Sequence, residues 1–313
     1  MKIIVTGCAG FIGGHATRLL VEKGHQVFGI DALTYAANLN NIEDVLSKMQ
    51  FKQVNICDYD DVLKICEQFK PDWIMNFAAE THVDNSIENS SEFVKTNVVG
   101  VHCLLDVCNK LNIKLFHVST DEVYGSTREG SFVETDKLSP RNPYSATKAA
   151  AEHLIESYHN THGLDYIMVR PSNNFGPGQH GEKFLPTIIR SLSSGKKIPI
   201  YGAGINVRDW LYVKDNVAMM EKMISSGELN QVYNISCKKE MTNIDLVATV
   251  LESFSLDFDS SVEFVKDRAG HDLRYSICNK KIKSSDLYLE TNFKDSLNST
   301  IEWYRKNMVN LHE

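Results

Sequence analysis

The 313-residue chain has no apolar run approaching the roughly 20 residues that span a bilayer, so a membrane-crossing helix is not expected. Its first residues, Met1-Lys2-Ile3-Ile4-Val5-Thr6-Gly7, hold one lysine and an apolar stretch that turns into glycine too early for a secretory leader. Paired cysteines are lacking too. The seven cysteines are scattered, with no CxxC, which argues against both a disulfide framework and a zinc site and predicts a cytosolic protein with reduced thiols. Positive charge is in deficit: 33 Lys and Arg against 40 Asp and Glu leave a net charge of -7. Non-specific nucleic-acid binding needs clustered cations and is therefore not expected, although a local basic pocket for one phosphate-bearing ligand is compatible with this balance. No Gly/Ser linker, repeat or candidate metal site is visible.

What is present suits a large core. Hydrophobic residues make up 42% of the chain and charged residues 23%. Residues 2–6, 26–30, 73–77, 115–119 and 166–170 read as strands, and 11–23, 60–68, 92–111 and 144–162 as helices. Strands separated by helices predict an α/β fold, a doubly wound parallel sheet of Rossmann type. Loops rich in Gly, Asn and Pro follow at 171–181 and 199–209. They predict a division into a nucleotide-binding domain over 1–170 and a smaller, mainly substrate-binding α/β domain over 171–313, with the chain crossing back between the two.

Gly7-Cys8-Ala9-Gly10-Phe11-Ile12-Gly13 follows the first strand and opens the first helix. Such glycines permit a tight turn and let backbone N–H groups approach a pyrophosphate at the positive end of the helix. A glycine-rich turn alone is weak evidence. The second strand, however, ends at Asp31, where a ribose-binding acid belongs, and residues 32–38 contain no Arg or Lys. A carboxylate there accepts ribose hydroxyls and repels a 2′-phosphate, so NAD is expected rather than NADP. Asn55 and Ile56, after a third strand, lie where an adenine would rest. Ala78 and Ala79 end the next strand and would let the backbone run beside the cofactor.

Tyr144 and Lys148 form a YxxxK pair, which shares one face of a helix. The ammonium can lower the phenol's pKa and bind a ribose, making the phenolate a base. Asp121 and Glu122 are adjacent at the end of a strand, the edge where doubly wound sheets bind ligands. Two neighbouring carboxyls repel each other, which favours one protonated and one ionised group, a base and an acid for an elimination. A solvated acidic turn is the competing reading.

The segment Ser119-Thr120-Asp121-Glu122-Val123-Tyr124-Gly125, taken with Tyr144 and Lys148, resembles the catalytic segment of dTDP-glucose and UDP-glucose 4,6-dehydratases of the extended short-chain dehydrogenase/reductase family. The likeness continues through residues 31–36, 78–84, 96–97, 170–174, 182–183, 206–210 and 267–272. It implies that Tyr144 takes the proton of the sugar C4 hydroxyl while hydride passes to NAD. Glu122 then removes the C5 proton, Asp121 protonates the leaving C6 hydroxyl, and Thr120 hydrogen-bonds the C4 oxygen. It further implies cofactor contacts by Thr34, Thr96 and Asn174. Thr81, His82, Asn173, Glu182, Lys183, Arg208, Asn243, Arg268 and His271 would meet the nucleotide-diphosphate sugar. Relatives pair the helices equivalent to 92–111 and 144–162, which implies a homodimer.

Two departures bear on the sugar. Gln179-His180-Gly181-Glu182 stands where the family pattern has Gln, an aromatic, Pro and Glu, and the chain is compact between Gly125 and Tyr144. The expected substrate is dTDP-glucose or UDP-glucose, with UDP-N-acetylglucosamine left open. The alternatives are a 4-epimerase or decarboxylase on the same scaffold, which need no adjacent Asp-Glu, and a catalytically silent binding module.

Overall fold

The computed structural model describes residues 1–267 and 271–307. Its twelve strands are β1 Lys2–Thr6, β2 Gln26–Asp31, β3 Gln50–Gln53, β4 Trp73–Asn76, β5 Lys114–Val118, β6 Tyr166–Pro171, β7 Asn173–Phe175, β8 Ile198–Tyr201, β9 Val207–Tyr212, β10 Gln231–Ile235, β11 Glu240–Thr242 and β12 Val262–Val265. Seven form one parallel sheet in the order β10-β6-β5-β4-β1-β2-β3. The order reverses beside β1, which opens a crevice at the carboxyl ends of β1 and β4.

Alternation along the strands divides the core into two layers. Ile3, Val5, Met75, Phe116 and Val118 face the helices Phe11–Glu22 and Val213–Ser226. Ile4, Ile74, Leu115 and Met168 face the helices Tyr59–Phe69, Val101–Leu111 and Pro143–His162. A third cluster, with Phe175, Ile188, Trp210, Leu246 and Ile301, belongs to a second lobe. That lobe carries the three-stranded sheet β11-β9-β7 and the pair β12-β8. Between them, residues 213–235 return to the large sheet as a helix and its edge strand β10.

The stretch 92–111 is not the single α-helix its apolar spacing suggests. Two α-helical pieces, Ser91–Val94 and Val101–Leu111, flank a π-helical turn at Lys95–Gly100. Asn97 supplies the reason: buried, it accepts from Glu80 N at 2.9 Å and donates to Glu80 O and Thr147 Oγ1, both at 3.0 Å. The wider turn lets one side chain tie β4's exit to the helix Pro143–His162, and π-turns recur where helices meet functional sites. No helix among the described residues is long and apolar enough to cross a membrane.

Candidate active site

The carboxyl end of the large sheet opens into a cavity of about 300 Å³, adjoined by a second of about 320 Å³ toward the other lobe. The two share Thr81, Glu122, Asn173, Glu182 and Lys183 in their walls.

The first cavity begins at the glycine turn. Gly7 has φ 66, and a Cβ there would sit 2.7 Å from Ala78 N, so glycine is required by both conformation and space. A Cβ on Gly13 would stand 2.1 Å from Gly7 O, which keeps the helix tight against the turn. The helix Phe11–Glu22 is entered at Gly10 with no side-chain cap and no acid in its first turn. Its first N–H groups therefore face the cavity as an anion site. At the end of β2, Asp31 accepts from Ala9 N at 2.9 Å and Leu33 N at 2.8 Å, clamping the glycine turn. Burial raises its pKa, and these two bonds counter the rise.

Gly7, Gly10, Phe11, Ile12, Gly13, Asp31, Thr34, Asn55, Ile56, Ala78, Ala79, Thr96 and Asn174 all line this first cavity, as do Thr120, Asp121, Glu122, Tyr144 and Lys148. An open helix N-terminus at one point and a buried acid at the end of β2 fit a dinucleotide. The cavity's two lysines donate to carbonyls of its own wall, Lys148 to Val118 O and Lys183 to Thr81 O.

The candidate catalytic groups converge from two elements. After β5 a 3₁₀ turn, Asp121–Tyr124, is capped by Thr120, whose Oγ1 accepts from Glu122 N at 3.3 Å. The helix Pro143–His162 starts with Pro143 and a capping box: Asn142 Oδ1 accepts from Ser145 N at 2.8 Å, and Ser145 Oγ accepts from Asn142 N at 3.3 Å. Tyr144, Lys148 and Glu152 follow at four-residue steps and point together toward the sheet end. The Thr120 hydroxyl favours the ionised form of the Tyr144 phenol, countering part of its rise.

Electrostatics separate the two acids. Burial, with the neighbouring charges of Glu122 and Asp209, drives Asp121 well above the ordinary carboxyl range, and its Oδ2 is buried without a hydrogen-bond partner. Glu122 is also raised by burial, but Arg208, a hydrogen bond from Asn142 Nδ2 at 3.3 Å and Lys183 pull it back. Asp121 is therefore the stronger holder of a proton and Glu122 the readier base. Burial and the charge of Glu122 push Tyr144 upward. Lys148 donates to Val118 O at 2.6 Å and is itself lowered by burial to about 8. The expected lowering of the phenol by the Lys148 ammonium is not seen here: burial and the charges of Glu122 and Asp121 raise Tyr144, and Thr120 counters them.

The second cavity is lined by Thr81, His82, Asn173, Glu182, Lys183, Arg208, Asn243 and His271. Arg268 lies outside the described residues. His82 accepts from Asn85 N through Nδ1 at 3.3 Å, leaving Nε2 toward Glu182, 3.7 Å away. Buried Asn173 Oδ1 has no hydrogen-bond partner and stands between the cavities.

Two residues at this site escape sequence reasoning, Asn142 and Tyr275, which both bond Glu122; His180, in the loop that departs from the family pattern, stacks edge-on against Tyr35. Asn142 had a readable signal, an Asn-Pro start with serine three residues on. Tyr275 had none beyond its nearness to residues 267–272.

A parallel sheet ending in a glycine turn, with a buried Tyr-Lys pair at its edge, defines an extended short-chain dehydrogenase/reductase. Within that class the family model described as GDP-mannose 4,6 dehydratase matches residues 4–297, and the chain belongs to this family. It is 42% identical to the low-salt glycan biosynthesis protein Agl12 of Haloferax volcanii, over 97% of this chain and 98% of that protein. It is 37% identical to the dTDP-glucose 4,6-dehydratase of Salmonella typhimurium, over 98% and 93% of the two chains. The crystal structure of the dTDP-glucose 4,6-dehydratase from Streptomyces venezuelae, solved with NAD bound, superposes with a TM-score of 0.95 at 39% identity, covering 99% of this chain and 98% of that one.

Proposed function

We propose that the protein is an NAD-dependent sugar-nucleotide 4,6-dehydratase, converting a nucleoside-diphosphate hexose to its 4-keto-6-deoxy form with loss of water. The observation that carries this reading is the adjacent pair Asp121–Glu122 beside Tyr144, the first buried and the second on the cavity wall. An epimerase or decarboxylase needs no such pair, whereas a β-elimination needs a base and an acid on neighbouring atoms.

NAD, when bound, would supply an acceptor that takes a hydride and returns it. Gly7 to Gly13, Asp31, Thr34, Asn55, Ile56, Ala78, Ala79, Thr96, Lys148 and Asn174 would hold it. The absence of Lys and Arg from residues 32–38 disfavours a 2′-phosphate. Tyr144 takes the C4 hydroxyl proton, with Thr120 donating to the C4 oxygen. The resulting ketone acidifies C5–H, Glu122 removes that proton, and Asp121 protonates the departing C6 hydroxyl. Arg208 with Lys183 and His271 would bind the diphosphate, Arg208 through its two-pronged guanidinium. Thr81, His82, Asn173, Glu182 and Asn243 would contact the remainder of the substrate.

The test is incubation with dTDP-glucose, UDP-glucose and UDP-N-acetylglucosamine, following a product lighter by one water, and C5 exchange in heavy water. Glu122→Gln should reduce turnover by about 10²- to 10⁴-fold and suppress exchange while still permitting NAD reduction. A wild-type rate in that variant would return the pair to an acidic turn.

Two further parts of the reading rest on surface and thiols. Val94 and Val99, 46% and 47% exposed, support a homodimer through the helical segments Ser91–Leu111. Light scattering at micromolar concentration should give twice 35.3 kDa, and a monomer mass would refute it. All seven cysteines are unpaired, which supports a reducing, cytosolic setting.

A further inference from the structure

The segment that leads into the catalytic helix also reaches across the cleft. Ser139 N donates to Val123 O at 2.9 Å, so this segment rides on the Asp121–Tyr124 turn. Two residues on, Arg141 Nη1 lies 2.9 Å from Asp272 Oδ1 on the other side. The contact is Coulombic rather than an aligned hydrogen bond, since Oδ1 has no hydrogen-bond partner. Arg141 is half exposed and Asp272 is 2% exposed, so a surface cation holds a buried anion.

Asp272 has a second tie. Its Oδ2 accepts from the Tyr275 hydroxyl at 2.7 Å, and that same hydroxyl lies 3.4 Å from Glu122 Oε2. Arg208 fixes the ring, its guanidinium 4.3 Å over the Tyr275 centroid and its Nη2 donating to Asp272 O at 3.0 Å. A phenol owns one hydrogen and faces two carboxyls here, so it can donate to only one of them at a time.

We propose that Arg141 is a positioning residue for Glu122, acting through Asp272 and Tyr275; this rests on the dehydratase reading above. By drawing on Asp272, Arg141 weakens that carboxylate as an acceptor and frees the Tyr275 hydrogen for an ionised Glu122. When Glu122 has taken a substrate proton, it donates to the Tyr275 oxygen and the tyrosine turns its own hydrogen to Asp272. The hydroxyl rotates, and the tyrosine neither gains nor loses a proton.

Other charged and titratable groups also face Glu122. Arg208 and Lys183 favour its ionised form, while Asp272 opposes it, and Asp121 and Tyr144 adjoin it. The test therefore breaks the ion pair from each end and compares signs. Arg141→Gln leaves Asp272 unopposed and should raise the Glu122 titration midpoint by about half a pH unit, roughly a threefold change in ionised fraction. Asp272→Asn removes the opposing charge and should lower it. Arg141→Lys should restore the wild-type value.

The midpoint is read by carboxyl ¹³C NMR of the full chain, the Glu122 signal being the one lost in Glu122→Gln. The acid limb of C5 exchange should move in parallel. A bond that merely holds two segments together gives both variants the same sign, and that result, or unmoved midpoints, would overturn the proposal. A wild-type chain yielding no 4-keto product would overturn the dehydratase reading instead, while the titration would still judge the link itself.

Discussion

Two buried charge clusters sit within one helix of each other and are built on opposite plans. Around Glu152, every polar atom is engaged. Arg170 donates to it through Nε at 3.1 Å and Nη2 at 2.6 Å, Ser119 donates to it, and Arg170 Nη1 reaches Tyr124 OH at 2.5 Å. That hydroxyl goes on to Asn234 Oδ1 at 2.9 Å, so the network stitches the catalytic turn, the helix Pro143–His162, β6 and β10 together. Around Asp121 and Glu122, two carboxyls lie side by side, and Asp121 keeps a buried oxygen with no partner. The first cluster spends its hydrogen bonds on architecture. The second leaves Asp121 Oδ2 without one, which keeps that carboxyl open to a substrate.

The sharpest way to break this comparison is at Glu152. Glu152→Gln leaves the Arg170 guanidinium, 3% exposed, without its counter-ion, and should cost about 3–5 kcal/mol in denaturant unfolding. Replacing Glu152 and Arg170 together with methionine should cost less than the sum of the single changes, because no charge is then stranded. Additive losses would show that the two side chains do not act as a pair.

The smaller effect has the opposite direction. Asp121 is raised above its unfolded value of 3.8, so the folded chain binds the extra proton and its stability falls as pH rises from about 4 through the folded pKa. Asp121→Asn removes this dependence. The variant should be more stable than wild type at neutral pH, by about 1.4 kcal/mol for each pH unit between 3.8 and the lower of the folded pKa and the working pH, and the advantage should vanish near pH 4 and below. A melting curve at the two pH values checks it, and an Asn variant less stable at pH 7 would place a hidden partner on the carboxylate.

This contrast marks how far the sequence was legible. Short, nearly continuous apolar runs betray β1, β2, β4, β5 and β6, because a parallel strand buried on both faces has little choice of residue. The strands of the second lobe have no such period: β7 and β11 are three residues long and partly exposed, and their pairing with β9 is a tertiary event. The π-turn at Lys95–Gly100 was invisible because one extra residue per turn hardly disturbs a twenty-residue apolar average. At the site, the motifs announced residue types and spacing, and the structure gathers them around two adjoining cavities. The partners of Glu122 were hidden, since Asn142 and Tyr275 reach it from 20 and 153 positions away.

Tyr144, Lys148 and Glu152 share one further property: a common ruler. Each is set by counting four residues from the last, on a helix pinned at its start by Pro143 and Asn142. Inserting or deleting one residue between 144 and 152 would swing everything beyond it by about 100°. Lys148 would leave the Val118 carbonyl, Glu152 would leave Arg170, and catalysis and folding would fail together. Substitutions at the exposed positions His153 and Ser157 leave this register unchanged. Along this helix, lineages can diverge in letters but not in length, and a gap there in any relative would mark a protein that has abandoned both the chemistry and the scaffold.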